Sequence, residues 1–235
     1  VACWISGPAG SGKSTLAASY VDARDYQSAW YQVDADAADI ATFFHYLGRA
    51  ARRIAGTPLP AFDARYTGNV AGFSRHYFGQ LFSRLTAPTA LVLDGLPALP
   101  ADSPLRIVLE AGLAQVPRHC CMLVTSRLEA PASLARMRAS GELVCLGADE
   151  LRLLPEELMA IASLRGKPLG SETALRIQQR TQGWAAGVVL MLEHAKIAGH
   201  LAELPDEAAP QAVFDYLAGE IFERFPAHLP RLVTK

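Results

Sequence analysis

Residues 7–14 read Gly7-Pro8-Ala9-Gly10-Ser11-Gly12-Lys13-Ser14, a complete match to the pattern G-x-x-x-x-G-K-[ST]. Such a loop needs a strand before it and a helix after it, because its amides must converge at a helix N-terminus. Both signals are present. Ala2-Cys3-Trp4-Ile5 is a short apolar run suited to a buried strand, and Leu16, Ala17, Tyr20 and Val21 recur at helical spacing. The glycines let the backbone curl until successive N–H groups face phosphate oxygens, and the helix end adds partial positive charge. Lys13 then reaches the β- and γ-phosphates of a nucleoside triphosphate, and the Ser14 hydroxyl holds Mg²⁺. The nucleotide contacts expected from the loop run through Gly7, Pro8, Ala9, Gly10, Ser11, Gly12, Lys13, Ser14 and Thr15.

Composition bounds what else the chain can be. Of 235 residues, 51% are hydrophobic and 19% charged, so a folded core is expected rather than disorder. The formal net charge is −1 and no Lys/Arg run stands out, which argues against this segment itself gripping nucleic acid. No apolar stretch approaches the roughly 20 residues needed to span a membrane. No leader is visible, and an opening Val1-Ala2-Cys3 without Met reads as a piece of a longer protein. The four cysteines, Cys3, Cys120, Cys121 and Cys145, fall in predicted strands and lack C-x-x-C spacing. They read as buried reduced thiols of a cytoplasmic protein, not as disulfides or zinc ligands.

Strand-like and helix-like segments alternate through the first ~150 residues, the sequence form of a parallel α/β sheet. Strands are expected at 2–5, 29–33, 89–93, 120–125 and 143–146, as continuous apolar runs suited to a sheet covered on both faces. Helical stripes are formed by Phe43, Leu47, Ala50, Ala51 and Ile54; by Phe73, Tyr77, Leu81, Phe82 and Leu85; and by Leu105, Val108, Leu109 and Leu113. Residues 56–69 read as a loop between two helices on the same side. Beyond Leu146 the pattern becomes helical. Pro155-Glu156-Glu157 marks a helix start, and Trp184, Val188, Met191, Leu192 and Ala195 share a helical face. After a polar break at 205–210, Phe214, Leu217, Ala218, Ile221, Phe222 and Phe225 give a further amphipathic helix.

A triphosphate site also needs a carboxylate for the metal. Thr89-Ala90-Leu91-Val92-Leu93-Asp94 is a strand ending in Asp94, which could hold Mg²⁺ through water opposite Ser14. The competing reading is an Asp94-Gly95 turn. Most hydrolases of this kind carry a second acid where this chain has Gly95, so no general base is assigned. Cys121-Met122-Leu123-Val124-Thr125 leads into Ser126-Arg127, placing Arg127 to fork onto the γ-phosphate and report its loss. Lys13, Asp94 and Arg127 are therefore the candidate catalytic residues, and Ser14 and Asp94 the candidate metal ligands. Asp34, after Trp30-Tyr31-Gln32-Val33, is a weaker candidate, since it and Asp36 can equally cap the next helix. Trp184 could lie over a purine or sit in a core. The six histidines show no zinc-binding spacing.

The ordered set of these motifs, with W-Y-Q-V-D-A-D-A-A-D-I-A-T-F-F-H-Y-L, L-V-L-D-G, M-L-V-T-S-R, T-Q-G-W-A-A-G-V-V-L-M and F-D-Y-L-A-G-E-I-F after the loop, resembles one family. It is similar to the nucleotide-binding core of large ATP-binding LuxR-type transcriptional regulators, the group including the maltose regulon activator. These are signal-transduction ATPases with numerous domains (STAND). The resemblance spans nearly the whole chain. It implies a P-loop NTPase domain at 1–148, with a three-layer parallel sheet of about five strands. A small helical domain at 149–200 would bring Trp184 near the nucleotide, and 201–235 would begin a truncated winged-helix domain. It further implies an ATP/ADP switch with Mg²⁺, in which ADP holds a resting state and ATP plus inducer favours self-association. Inducer and DNA would be met only through domains outside this chain. The departure at Gly95 bears on hydrolysis more than on binding, and the adenine-holding segment usual upstream of the loop lies outside this chain. Two other readings stay open: a degenerate, non-hydrolysing scaffold and a P-loop small-molecule kinase. An Arg-rich lid would favour the kinase, but few arginines cluster after Arg138.

Overall fold

The computed structural model describes residues 1–33, 39–100, 102–166 and 168–198. Asp34, Asp36, the polar break at 205–210 and the apolar stripe from Phe214 lie outside the described residues. Five apolar runs become strands β1 (Ala2–Ser6), β2 (Gln27–Gln32), β3 (Thr89–Leu96), β4 (Cys120–Ser126) and β5 (Leu143–Leu146). They form one sheet in the order β2-β3-β4-β1-β5, with every pairing parallel. Parallel neighbours cannot be joined by tight turns, so helices carry the connections. These are α1 (Lys13–Ala23), α2 (Ile40–Ala55), α3 (Val70–Ser83), α4 (Pro104–Leu113) and α5 (Ala135–Ala139). The architecture is the α/β parallel sheet of five strands that the alternation predicts.

Alternate residues of each strand serve opposite faces. Trp4, Tyr31, Leu91, Leu93, Met122 and Val124 belong to the main core, together with Phe43, Phe44 and Leu47 of α2, Phe73, Tyr77 and Phe78 of α3, and Leu105 and Leu109 of α4. Phe44 is the hub of an aromatic cluster, with ring centroids 4.8 Å from Phe73 and 4.7 Å from Tyr77. On the other face, Leu16, Ala17 and Tyr20 of α1 line a hollow with Cys3, Ile5, Cys121 and Leu123. All four cysteines are free. Burial pushes Cys3 and Cys121 up to about 11, so these thiols stay protonated. The 56–69 connection is not wholly irregular: Ala64–Asn69 forms a 3-10 helix, capped where the Asp63 carboxylate accepts from the Arg65 N–H.

Contacts divide the chain into two units, Val1–Ala9 with Lys13–Glu150, and Gly10–Gly12 with Leu151–Lys235. The second unit contains α6 (Pro155–Leu164), α7 (Ser171–Thr181) and α8 (Ala185–Ala198). Leu158, Ala174, Ile177, Val188 and Met191 form its core. Pro155 opens α6, and the Glu157 carboxylate accepts from the Leu154 N–H at 2.8 Å, closing the helix start. Gly183 is required by its surroundings: its φ is +72°, and a Cβ there would lie 2.7 Å from the Leu153 carbonyl oxygen. Among the described residues, no helix is long and apolar enough to cross a membrane.

Candidate functional site

The strand order sets the site. The chain leaves β1 for β2 at the far edge and returns through β3 to β4, beside β1, so strand ends and loops meet at the carboxyl edge near β1 and β4. β1 stops at Ser6, and the Gly7 N–H donates to the Ser126 carbonyl at 3.2 Å, tying the start of the loop to the end of β4. Gly10 and Gly12 have φ of +72° and +84°, conformations that bend the loop into the N-terminus of α1. Lys13 is the first residue of that helix, and its ammonium donates to the Gly7 carbonyl at 2.8 Å and the Pro8 carbonyl at 2.6 Å. Burial lowers its pKa from the usual 10.5. The nearby Arg127 guanidinium lowers it further and Asp94 opposes both.

Asp94 is 5% exposed and sits within β3, which continues to Leu96. It does not start a turn. The Ser14 hydroxyl donates to Asp94 Oδ1 at 2.7 Å, and the Thr125 hydroxyl donates to the same oxygen at 2.5 Å. The Thr125 oxygen in turn accepts from the Gly95 N–H at 2.8 Å. This exchange occupies a break in the strand register. Leu93 pairs with Val124 and Leu96 with Ser126, so Asp94 and Gly95 together oppose Thr125 alone. Such a bulge re-aims side chains beside functional sites. Here it also demands glycine, because residue 95 has φ of +77°. The missing second acid is thus a property of the backbone as well as of the side chain.

Arg127 is exposed, directly after β4, on a segment pinned from both sides. The Ser126 hydroxyl donates to the Leu96 carbonyl at 3.0 Å and accepts from the Leu128 N–H at 3.2 Å. The buried Trp4 indole N–H donates to the Leu128 carbonyl at 3.0 Å. Lys13, Ser14, Asp94 and Arg127 line one crevice of about 630 Å³, together with Ala9, Gln32 and Thr125. Its donors suit a hard cation: one carboxylate and one hydroxyl, both oxygen, within a hydrogen bond of each other. Ser14 and Asp94 would hold Mg²⁺, which takes its remaining ligands from water and phosphate.

Of the other loop residues, Ser11 is buried and Thr15 is exposed on the first turn of α1. Within the second unit, the Ala186 N–H donates to the Gly10 carbonyl at 2.9 Å. Trp184 immediately precedes α8 and packs partly against that unit's core. Thr125 and Gln32 are members of the crevice that motif reading passed over. Thr125 is the one signal that was visible, a hydroxyl interrupting the apolar run Cys121-Met122-Leu123-Val124.

No family model and no curated protein sequence matches the chain. Solved structures do. One is a signal transduction ATPase with numerous domains (STAND) protein with a tetratricopeptide repeat sensor from Pyrococcus horikoshii, with TM-score 0.59, 17% identity, and coverage of 96% of this chain and 30% of that one. Another is a Walker-type ATPase of Pyrococcus abyssi, with TM-score 0.51, 11% identity, and coverage of 95% of this chain and 70% of that one. The chain therefore spans under a third of the first neighbour's length. At these identities the likeness establishes the fold alone, a parallel α/β sheet shared with these two structures.

Proposed function

We propose that this chain is the ATP/ADP-binding switch module of a bacterial transcriptional activator, working in the cytoplasm with slow or no ATP hydrolysis. The observation that carries the reading is the crevice lined by Lys13, Arg127 and the Ser14–Asp94–Thr125 hydrogen-bond cluster. Lys13 suits the β- and γ-phosphates, and the loop amides suit the phosphates common to ATP and ADP. The second cation, Arg127, suits the γ-phosphate alone, and a ligand shifts a two-state equilibrium only through such differential contacts.

The regulator context is supported by the resemblance of the Trp30-to-Asp34 sequence with its Phe43-Phe44 helix, and of the Gly183-Trp184 helix start. A solved neighbour named as a STAND protein with a repeat sensor is compatible with it. In this reading 1–148 binds nucleotide and 149–200 is a small helical domain. Self-association in the ATP state, and contacts with inducer and DNA through domains outside this chain, complete the proposal. Gly95 favours a second reading, a scaffold that holds nucleotide without cleaving it.

Titration of ATP and ADP, followed by turnover of ATP alone, tests the proposal. Tight binding with slow phosphate release is expected, Lys13→Ala abolishes binding, and Arg127→Ala narrows the preference between ATP and ADP while sparing ADP affinity. Phosphate transfer only on adding a small acceptor would point to a kinase. Binding with no turnover would select the scaffold.

A further inference from the structure

The place where a second acid would stand is filled from the neighbouring strand. Gln32 is the last residue of β2 and pairs with Asp94 in the parallel register. Its Nε2 lies 2.8 Å from where a Cβ on residue 95 would be, and the backbone of Gly95, at φ +77°, already disfavours any side chain. Position 95 is thus kept open and the Gln32 carboxamide occupies the opening. Gln32 is exposed and lines the same crevice as Lys13, Ser14, Asp94 and Arg127. A carboxamide donates through Nε2 and accepts through Oε1, so it can fix the orientation of a water molecule although it cannot take its proton.

We propose that Gln32 orients the water that attacks the γ-phosphate, acting from β2 in place of a second acid on β3. This rests on the nucleotide-switch reading above. In the step, a bond forms between the water oxygen and the γ-phosphorus while the bond from that phosphorus to the β–γ bridging oxygen breaks. The bridging electron pair leaves with ADP, and the water proton passes to a γ-phosphate oxygen, giving ADP and inorganic phosphate. Orientation without a protein base makes hydrolysis slow, which suits a timer better than a fast catalyst.

The test compares the full chain with Gln32→Ala and Gln32→Glu in three measurements: affinity for ATP and ADP, turnover of ATP, and the tightening of ADP binding by aluminium fluoride, a mimic of the transferring phosphoryl group. Gln32→Ala is expected to leave both nucleotide affinities within about twofold, lower turnover at least about tenfold, and lose the fluoride tightening. Gln32→Glu is expected to retain turnover and acquire a dependence on pH in the carboxylate range, because it supplies a titratable acceptor at the same place. Unchanged turnover and tightening in Gln32→Ala would overturn the proposal. So would a wild-type chain that binds both nucleotides but neither cleaves ATP nor tightens with fluoride, and this result would leave nucleotide binding standing. A wild-type chain that binds neither nucleotide would overturn both.

Discussion

Thr125 shows how one hydroxyl can tie a carboxylate and a backbone bulge together. It donates to Asp94 Oδ1 and accepts from the Gly95 N–H, so it both aims the carboxylate and closes the bulge. Thr125→Val keeps the shape and removes both bonds, leaving the part-buried Gly95 N–H without this acceptor and the buried carboxylate with one donor fewer. Losing a buried partner of this kind costs about 1–3 kcal/mol. The variant should therefore be less stable by roughly that amount, and its Asp94 should hold Mg²⁺ less well. Calorimetric titration of ATP with and without Mg²⁺ checks this: the metal-dependent part of the affinity should fall roughly tenfold, equivalent to about 1.4 kcal/mol, while metal-free binding is spared. An unchanged metal dependence would show that Ser14 alone suffices to position Asp94. The charged loop lysine is tuned at the same scale, since burial and Arg127 together favour its neutral form against the pull of Asp94.

The elements divide into those the sequence announces and those that only the fold can specify. The five strands were legible from apolar runs that suit a sheet covered on both faces, although β2 spans Gln27–Gln32, with glutamine at each end, where 29–33 is the expected run. The continuation of β3 through Asp94-Gly95 was not, because that dipeptide ordinarily turns, and what keeps it in the sheet is Thr125, 30 residues from Gly95 along the chain. Gln32 was illegible as a site residue for the same reason: its meaning depends on the space that Gly95 leaves. Helix α7 was not singled out because it buries only Ala174, Ile177 and Thr181, too thin an apolar stripe to stand out. Gly183 joins the two levels. It must be glycine because the Leu153 backbone crosses directly over it, with the Leu153 N–H donating to the Gly183 carbonyl at 2.8 Å. Gly183→Ala should cost at least about 2 kcal/mol, from the left-handed backbone and the displaced hydrogen bond together. Gly166→Ala is the control, since Gly166 has φ of +76° but nothing within 4 Å of its would-be Cβ. Urea unfolding of the two variants separates steric exclusion from backbone preference, and equal losses would remove the argument that Leu153 dictates the glycine.

At the scale of the whole molecule, the described residues form two separate hydrophobic cores, one on the sheet and one among α6, α7 and α8. The side chains proposed to meet the phosphates and the metal, Lys13, Ser14, Asp94 and Arg127, and Thr125 that bonds Asp94, all belong to the first unit. A nucleotide that these side chains hold in the folded state but not in the unfolded one stabilises the first unit by mass action, by about 2.7 kcal/mol at a hundredfold excess over Kd. For a unit of this size each kcal/mol shifts Tm by about 2–4 °C, so saturating Mg²⁺-ATP should raise the transition of the sheet core by roughly 5–10 °C. Scanning calorimetry gives the shift, and hydrogen exchange locates it, with added protection expected first at the start of α1 and the carboxyl ends of β3 and β4. Lys13→Ala should abolish the shift. Arg127→Ala should preserve it for ADP and reduce it for ATP, because only the γ-phosphate distinguishes the two ligands at that side chain. A shift of equal size for ATP and ADP in the wild type would mean that the module senses nucleotide without telling its two forms apart, and Arg127 would then have no reporting role.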